Sequence, residues 1–187
     1  MANEEENTSI LSMSLSNLNI AQQEEANHTL ALYKTQIEQG DIQKAYHYIM
    51  RYMMHLKAYF SRHLPDTFSM GNISLGYLDF TYFPFFDGFL RERKLRLGIV
   101  LNHQSLQFEL WLMGQNALVQ QDYWELLKTS QWNRKRTEMP KYSILEDILI
   151  TDISFNQIDK MTAKIFQEAL KTTTKIIDEI KQREASL

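Results

Sequence analysis

Cysteine is absent from all 187 residues, and with it go disulfides, thiolate zinc sites and a cysteine nucleophile. That absence fits a reducing compartment, and the chain reads as cytoplasmic. No uninterrupted apolar stretch reaches the roughly 18 residues that a membrane span requires. The opening MANEEENTSI is acidic where a secretory signal is basic, so neither insertion nor secretion is expected. An excess of one charge is lacking too: 20 Lys and Arg against 23 Asp and Glu leave −3, which gives no overall attraction to phosphate backbones or anionic lipid. There is no GxSxG elbow, no GxxxxGK[ST] loop and no GxGxxG turn. Acyl transfer, nucleotide hydrolysis and dinucleotide binding therefore lack their most economical signals. His47, His55, His63 and His103 make no i, i+4 pair and no HExxH pattern exists, so neither a metal site nor a cofactor is expected.

What is present is a strong periodic pattern. Residues 1 to 20 combine acidic residues with Ser and Asn, a composition that reads as a flexible polar leader. Residues 21 to 187 read as one domain, long enough to bury a proper core. The spacing predicts a helix over residues 22–39, stopped at Gly40, and a second one from Asp41 to His63. In the second, Ile42, Ala45, Ile49, Met53, Leu56 and Phe60 form one apolar stripe. Alternation of Ile73, Leu75 and Tyr77 predicts a first strand ending near Tyr82. Pro84 and Gly88 then mark FPFFDGFL as a turn or short helix.

Leu95, Leu97, Ile99 and Leu101, followed by Leu106, Phe108, Leu110 and Leu112, predict a hairpin with one apolar face. Asn116 caps a helix to about Thr129, NRKRTEMPK is an exposed connection, and ILEDILI is a strand. A long helix with Ile158, Met161, Ile165, Ala169, Ile176 and Ile180 inward closes the chain. This order predicts an α+β fold: an antiparallel, hairpin-based sheet packed against long amphipathic helices.

Several segments resemble an uncharacterised family of small bacterial proteins with a domain of unknown function. They are YIMRYMMHLKAYF, GNISLGYLDFTYFPFF, KLRLGIVLNHQSLQFELWLMGQN and VQQDYWELLK, which span most of residues 45 to 128. The resemblance implies a fold and little else. In element order alone, the later half is also similar to restriction-endonuclease-like domains, whose acidic residues and lysine bind metal and activate water. Here Trp111 stands where that lysine is expected, after Glu109 and Leu110.

The polar positions of the sheet region supply the candidate site. Tyr77, Asp79, Arg96, Glu109 and Trp111 fall on one face if the strands alternate. Pairing Asn102 with Ser105 would put Arg96 across from Trp111 and Gly98 across from Glu109, leaving a hollow over the glycine. Arg96 would hold a carboxylate or phosphate, Trp111 would form a flat wall, and Asp79 and Glu109 would take donors or a cation. The structural alternative is a cross-strand ion pair between Arg96 and Glu109.

The leading function is thus a binding or interaction module for a small molecule or protein partner. The alternative is a metal-dependent hydrolase or degenerate nuclease-like domain using Asp79 and Glu109, and whether the protein is an enzyme stays open at this level. The aromatic run 80–89 and the last helix suggest a partner surface and a homodimer. The basic pieces near Arg91 and Arg134, with Trp132 beside the second, are the only features that suit nucleic acid, and overall acidity weighs against that partner.

Overall fold

A computed structural model describes residues 17–186, so residues 1–16 of the expected leader lie outside the described residues. Two compact units make up the chain, Met1–Arg51 and Tyr52–Leu187. In the first unit, helix α1 spans Ile20–Gln39 and starts with a capping box: Asn19 accepts from the Gln22 backbone and the Gln22 side chain from that of Asn19. Gly40 ends α1 in the left-handed conformation at φ 76°, which costs glycine nothing. No residue of α1 is buried. Helix α2, Asp41–His63, begins immediately after and runs across the boundary between the units.

The second unit is an antiparallel meander with a helix layer. Its strands are β1 (Ser69–Met70), β2 (Phe80–Phe86), β3 (Leu95–Asn102), β4 (Gln107–Gly114) and β5 (Leu145–Ile150), adjacent in chain order. Short helix α3, Gly88–Glu92, joins β2 to β3. Helix α4, Ala117–Leu127, follows β4, and helix α5, Ile158–Glu184, follows β5 after a 3-10 turn. The chain is α+β, as its pattern predicts. No helix among the described residues is long and apolar enough to cross a membrane.

Strand alternation sends Phe83, Phe85, Leu97, Ile99, Leu101 and Leu110 to one face, all fully buried. The helices cover that face. Met53, Leu56 and Phe60 of α2 and Ile165, Ala169, Ile176 and Ile180 of α5 are fully buried in turn, as a stripe of three- and four-residue spacing requires. The Phe60 ring meets those of Phe83, Phe85 and Phe166 at centroid distances of 5.4, 6.0 and 5.0 Å. Polar ties fix the helices: Thr172 donates to Asp147 at 2.8 Å, and Glu184 accepts from Arg93 and Tyr123.

Several expectations need correction, and the predicted stripes are one of them: Ile42 and Ala45 on α2 and Ile158 on α5 are exposed. FPFF is strand, not turn. Pro84 is tolerated because its carbonyl, and hence its missing N–H, faces the side of β2 where β1 contributes two residues only. Phe83 and Phe85 are therefore core, while Phe80, Tyr82, Phe86 and Phe89 stay half-buried. Residues 73–79 are a loop joined to β2 through a single bridge, Ser74 to Tyr82; positive φ at Gly76 (67°) and Leu78 (66°) breaks the extended pattern. The hairpin register is shifted by two, with Asn102 across from Gln107. The Asn102 Oδ1 accepts from the backbones of Gln104 and Ser105, an Asx turn that lengthens the connection to residues 103–106. A shift of two keeps every side chain on its face.

Candidate functional site

The sheet face away from the helices carries Arg96, Gly98, Val100 and Asn102 of β3 beside Met113, Trp111, Glu109 and Gln107 of β4, in that order of pairing. Phe80, Tyr82, Pro84 and Phe86 extend it on β2 and Glu146 and Ile148 on β5. Of the five residues singled out from the sequence, this face holds Arg96, Glu109 and Trp111. Asp79 and Tyr77 sit in the loop before β2, and the Tyr77 side chain stands away from the sheet at 96% exposure.

Glu109 and Trp111 form the closed part of the face, each only 4% exposed. The Glu109 carboxylate accepts from Trp111 Nε1, Gln107 Nε2 and Asn102 Nδ2. A buried carboxylate is tolerable when such donors replace its water. Val100, Trp111 and Met113 form a second small core, with Phe80 and Tyr82 packed on it. Phe80 meets Trp111 edge-on at 4.8 Å and Tyr142 at 6.0 Å, so Trp111 is covered rather than offered as a wall. The carboxylate clamp escaped notice in the sequence, although Gln107, Glu109 and Trp111 alternate along one strand and so must share a column.

The expected Arg96–Glu109 ion pair does not form: Glu109 accepts from three other donors and lies two pairings away from the arginine. Met113, not Trp111, stands across from Arg96, and Trp111 stands across from Gly98. The hollow over Gly98 is filled by the Met113 methyl, which lies 2.6 Å from where a β-carbon on Gly98 would be. Arg96 itself is half-buried. Its Nε is shut off from solvent without a hydrogen-bond partner, and the guanidinium makes no ion pair among the described residues. Leaving such a donor unmatched is costly.

Asp79 has a structural task. Its carboxylate accepts from the Tyr77 and Phe80 backbones at 3.0 and 2.6 Å. Partial burial pushes its pKa up, but those N–H groups and the nearby His103 outweigh burial and hold it below the ordinary carboxylate value. Thr81, fully buried, donates to Leu75 O at 2.7 Å, which leaves its hydroxyl to accept from His103 Nε2 at 2.8 Å. This cluster clasps the loop to the hairpin.

Burial of His103 lowers its pKa, and the charge on Asp79 only partly opposes that. The neutral ring is thus favoured in the fold. Its contribution to stability is complete above the unfolded imidazole pKa of about 6.5 and is lost as pH falls through the lower folded value. Urea midpoints at about pH 7.5 and about pH 5 are expected to differ more for the wild type than for His103→Gln, which keeps a donor for Thr81. Equal differences would show that the ring does not carry this effect.

Among the described residues no group of three or more His, Asp or Glu is placed to hold a metal ion. No curated protein and no solved structure matches the chain. Residues 26–180 match the family described as a domain of unknown function (DUF7000), and the chain belongs to that family.

Proposed function

We propose that this protein is a binding module that holds an anionic group of its ligand on Arg96, on the sheet face away from the helices. The observation that carries this reading is the unmatched Nε: a half-buried arginine whose Nε is solvent-shielded without a hydrogen-bond partner, and which makes no ion pair among the described residues. Proteins rarely leave buried polar atoms unpaired, and a planar fork of donors suits a carboxylate or phosphate oxygen pair. Tyr82, Pro84 and Phe86, half-buried on the same face, supply apolar surface beside it.

The hydrolase reading draws less support. Glu109 spends its oxygens on Asn102, Gln107 and Trp111, and Asp79 spends one on the backbone of its own loop.

A ligand that binds only the folded state stabilises it, by about 2.7 kcal/mol when present at about a hundred times its Kd. Acetate and inorganic phosphate, titrated separately at constant ionic strength, are therefore expected to raise the melting temperature of the wild type. Arg96→Met keeps the apolar stem and removes the donors, so the response should disappear. An equal rise in both proteins, or none in the wild type, would overturn the reading.

A further inference from the structure

We infer that a second copy of this chain covers the first unit: α1 of each copy lies against the exposed start of α2 of the other, in a reciprocal homodimer that does not depend on the Arg96 site. Among the described residues of the first unit, 17–51, none is buried. A helix without tertiary burial has only its own sequence to hold it, and α1 has little there. It carries no acidic residue in its first turn and no basic residue in its last, so nothing offsets its dipole at either end. Its ion pair, Lys34 to Glu38 at 3.6 Å, runs in the weaker order along a helix. Yet α1 is sharply delimited, by the capping box at Asn19 and by Gly40.

Its apolar residues form a seam. Ala26, Leu30, Tyr33 and Ile37 recur at steps of four, three and four, the narrow stripe of a helix that meets another helix. Leu30 and Tyr33 are 63% and 64% exposed. On α2, the stripe that is buried at Met53, Leu56 and Phe60 continues backward through Ile49, Ala45 and Ile42, where Ala45 and Ile42 are exposed. Both open faces are apolar, helical and about two to three turns long.

Within one chain the two faces are kept apart. An antiparallel helix pair needs a loop of roughly two to five residues, but α1 and α2 share Gly40 as their whole joint: its N–H donates to Ile37 O as α1 ends, and its carbonyl accepts from Lys44 as α2 begins. Among the described residues α1 and α2 do not pack side by side. Charge then favours the other copy's α2 over its α1. Helix α1 carries Glu24, Glu25 and Glu38 against Lys34, whereas residues 41–51 carry Lys44 and Arg51 against Asp41. Setting α1 beside α2 joins unlike net charges, and setting it beside another α1 joins like ones. A twofold axis makes the contact twice, with residues 20–51 on each side, the scale of an interface of roughly 20–30 residues a side.

Sedimentation equilibrium of the full chain at micromolar concentration is expected to give twice the mass of one chain. Leu30→Gln combined with Tyr33→Gln keeps residues suited to a helix and removes the largest side chains of the seam, at positions that lie outside the core of the single chain. The dissociation constant should rise about a hundredfold or more, because each copy withdraws two apolar side chains from the interface. A Gly-Ser insert of about four residues after Gly40 makes the joint long enough for α1 to turn back onto its own α2. That variant should be a monomer with the helix content of the wild type by circular dichroism. A monomeric wild type would overturn the inference. A dimer that the double substitution leaves as tight as before would overturn it too, by placing the interface elsewhere, and a dimer that persists with the longer joint would rule out the exchange of α1 onto α2.

Discussion

Glu109→Ala is expected to destabilise the protein by about 3 kcal/mol, measured as the fall in unfolding free energy from urea titration. The mutation removes no ion pair; it strips three donors of their acceptor. Trp111 Nε1 is the worst affected, since the indole is buried and covered by Phe80. Asn102 and Gln107 are half-buried and can recruit water, which limits their share. Asn102 also sets the hairpin turn through its other amide atom, so loosening its Glu109 contact reaches the register of β3 and β4. Glu109→Gln preserves the shape but turns an NH2 group toward N–H donors, and its loss should fall between those of alanine and wild type. A stability change within about 0.5 kcal/mol for alanine, the usual range for a surface site, would refute the clamp.

Phe60→Ala should cost more, about 4 kcal/mol, the middle of the range for deleting a buried phenylalanine. Phe60 is fully buried and lies edge-on to Phe83 and Phe166 while also touching Phe85. Its removal leaves a cavity where α2, α5 and the sheet converge, and three rings lose a favourable partner. Phe60→Leu keeps most of the volume and should lose roughly half as much. The same titration checks both variants, and a smaller loss for alanine than for leucine would contradict the packing described.

Apolar periodicity made most of the architecture legible. Met53, Leu56 and Phe60 on α2, and Ile165, Ala169, Ile176 and Ile180 on α5, were readable as inward stripes because burial is what enforces their spacing. Alternation likewise placed Arg96, Glu109 and Trp111 on one face even though the register was off by two, since parity survives an even shift. Less was legible where a rule depends on the neighbour. Pro84 argues against a strand unless its missing N–H faces an almost empty edge, and nothing local to Pro84 reveals β1. The loop 73–79 alternates like a strand, yet Gly76 and Leu78 take left-handed conformations and turn it aside. The site differs from its expected form for the same reason. Trp111 is covered and Glu109 held by contacts that only the folded pairing brings together, and the unpartnered Nε of Arg96 is likewise a product of the folded packing.

The central claim concerns Arg96, and the Nε–H proton of that side chain reports on it directly by NMR. Arg96→Met identifies the signal by its disappearance. On titration with acetate or inorganic phosphate, the resonance should move downfield and saturate as the group gains its hydrogen bond, with slower exchange against solvent. A signal that stays where it is through the titration, or that already shows a strong hydrogen bond before ligand is added, would contradict the account.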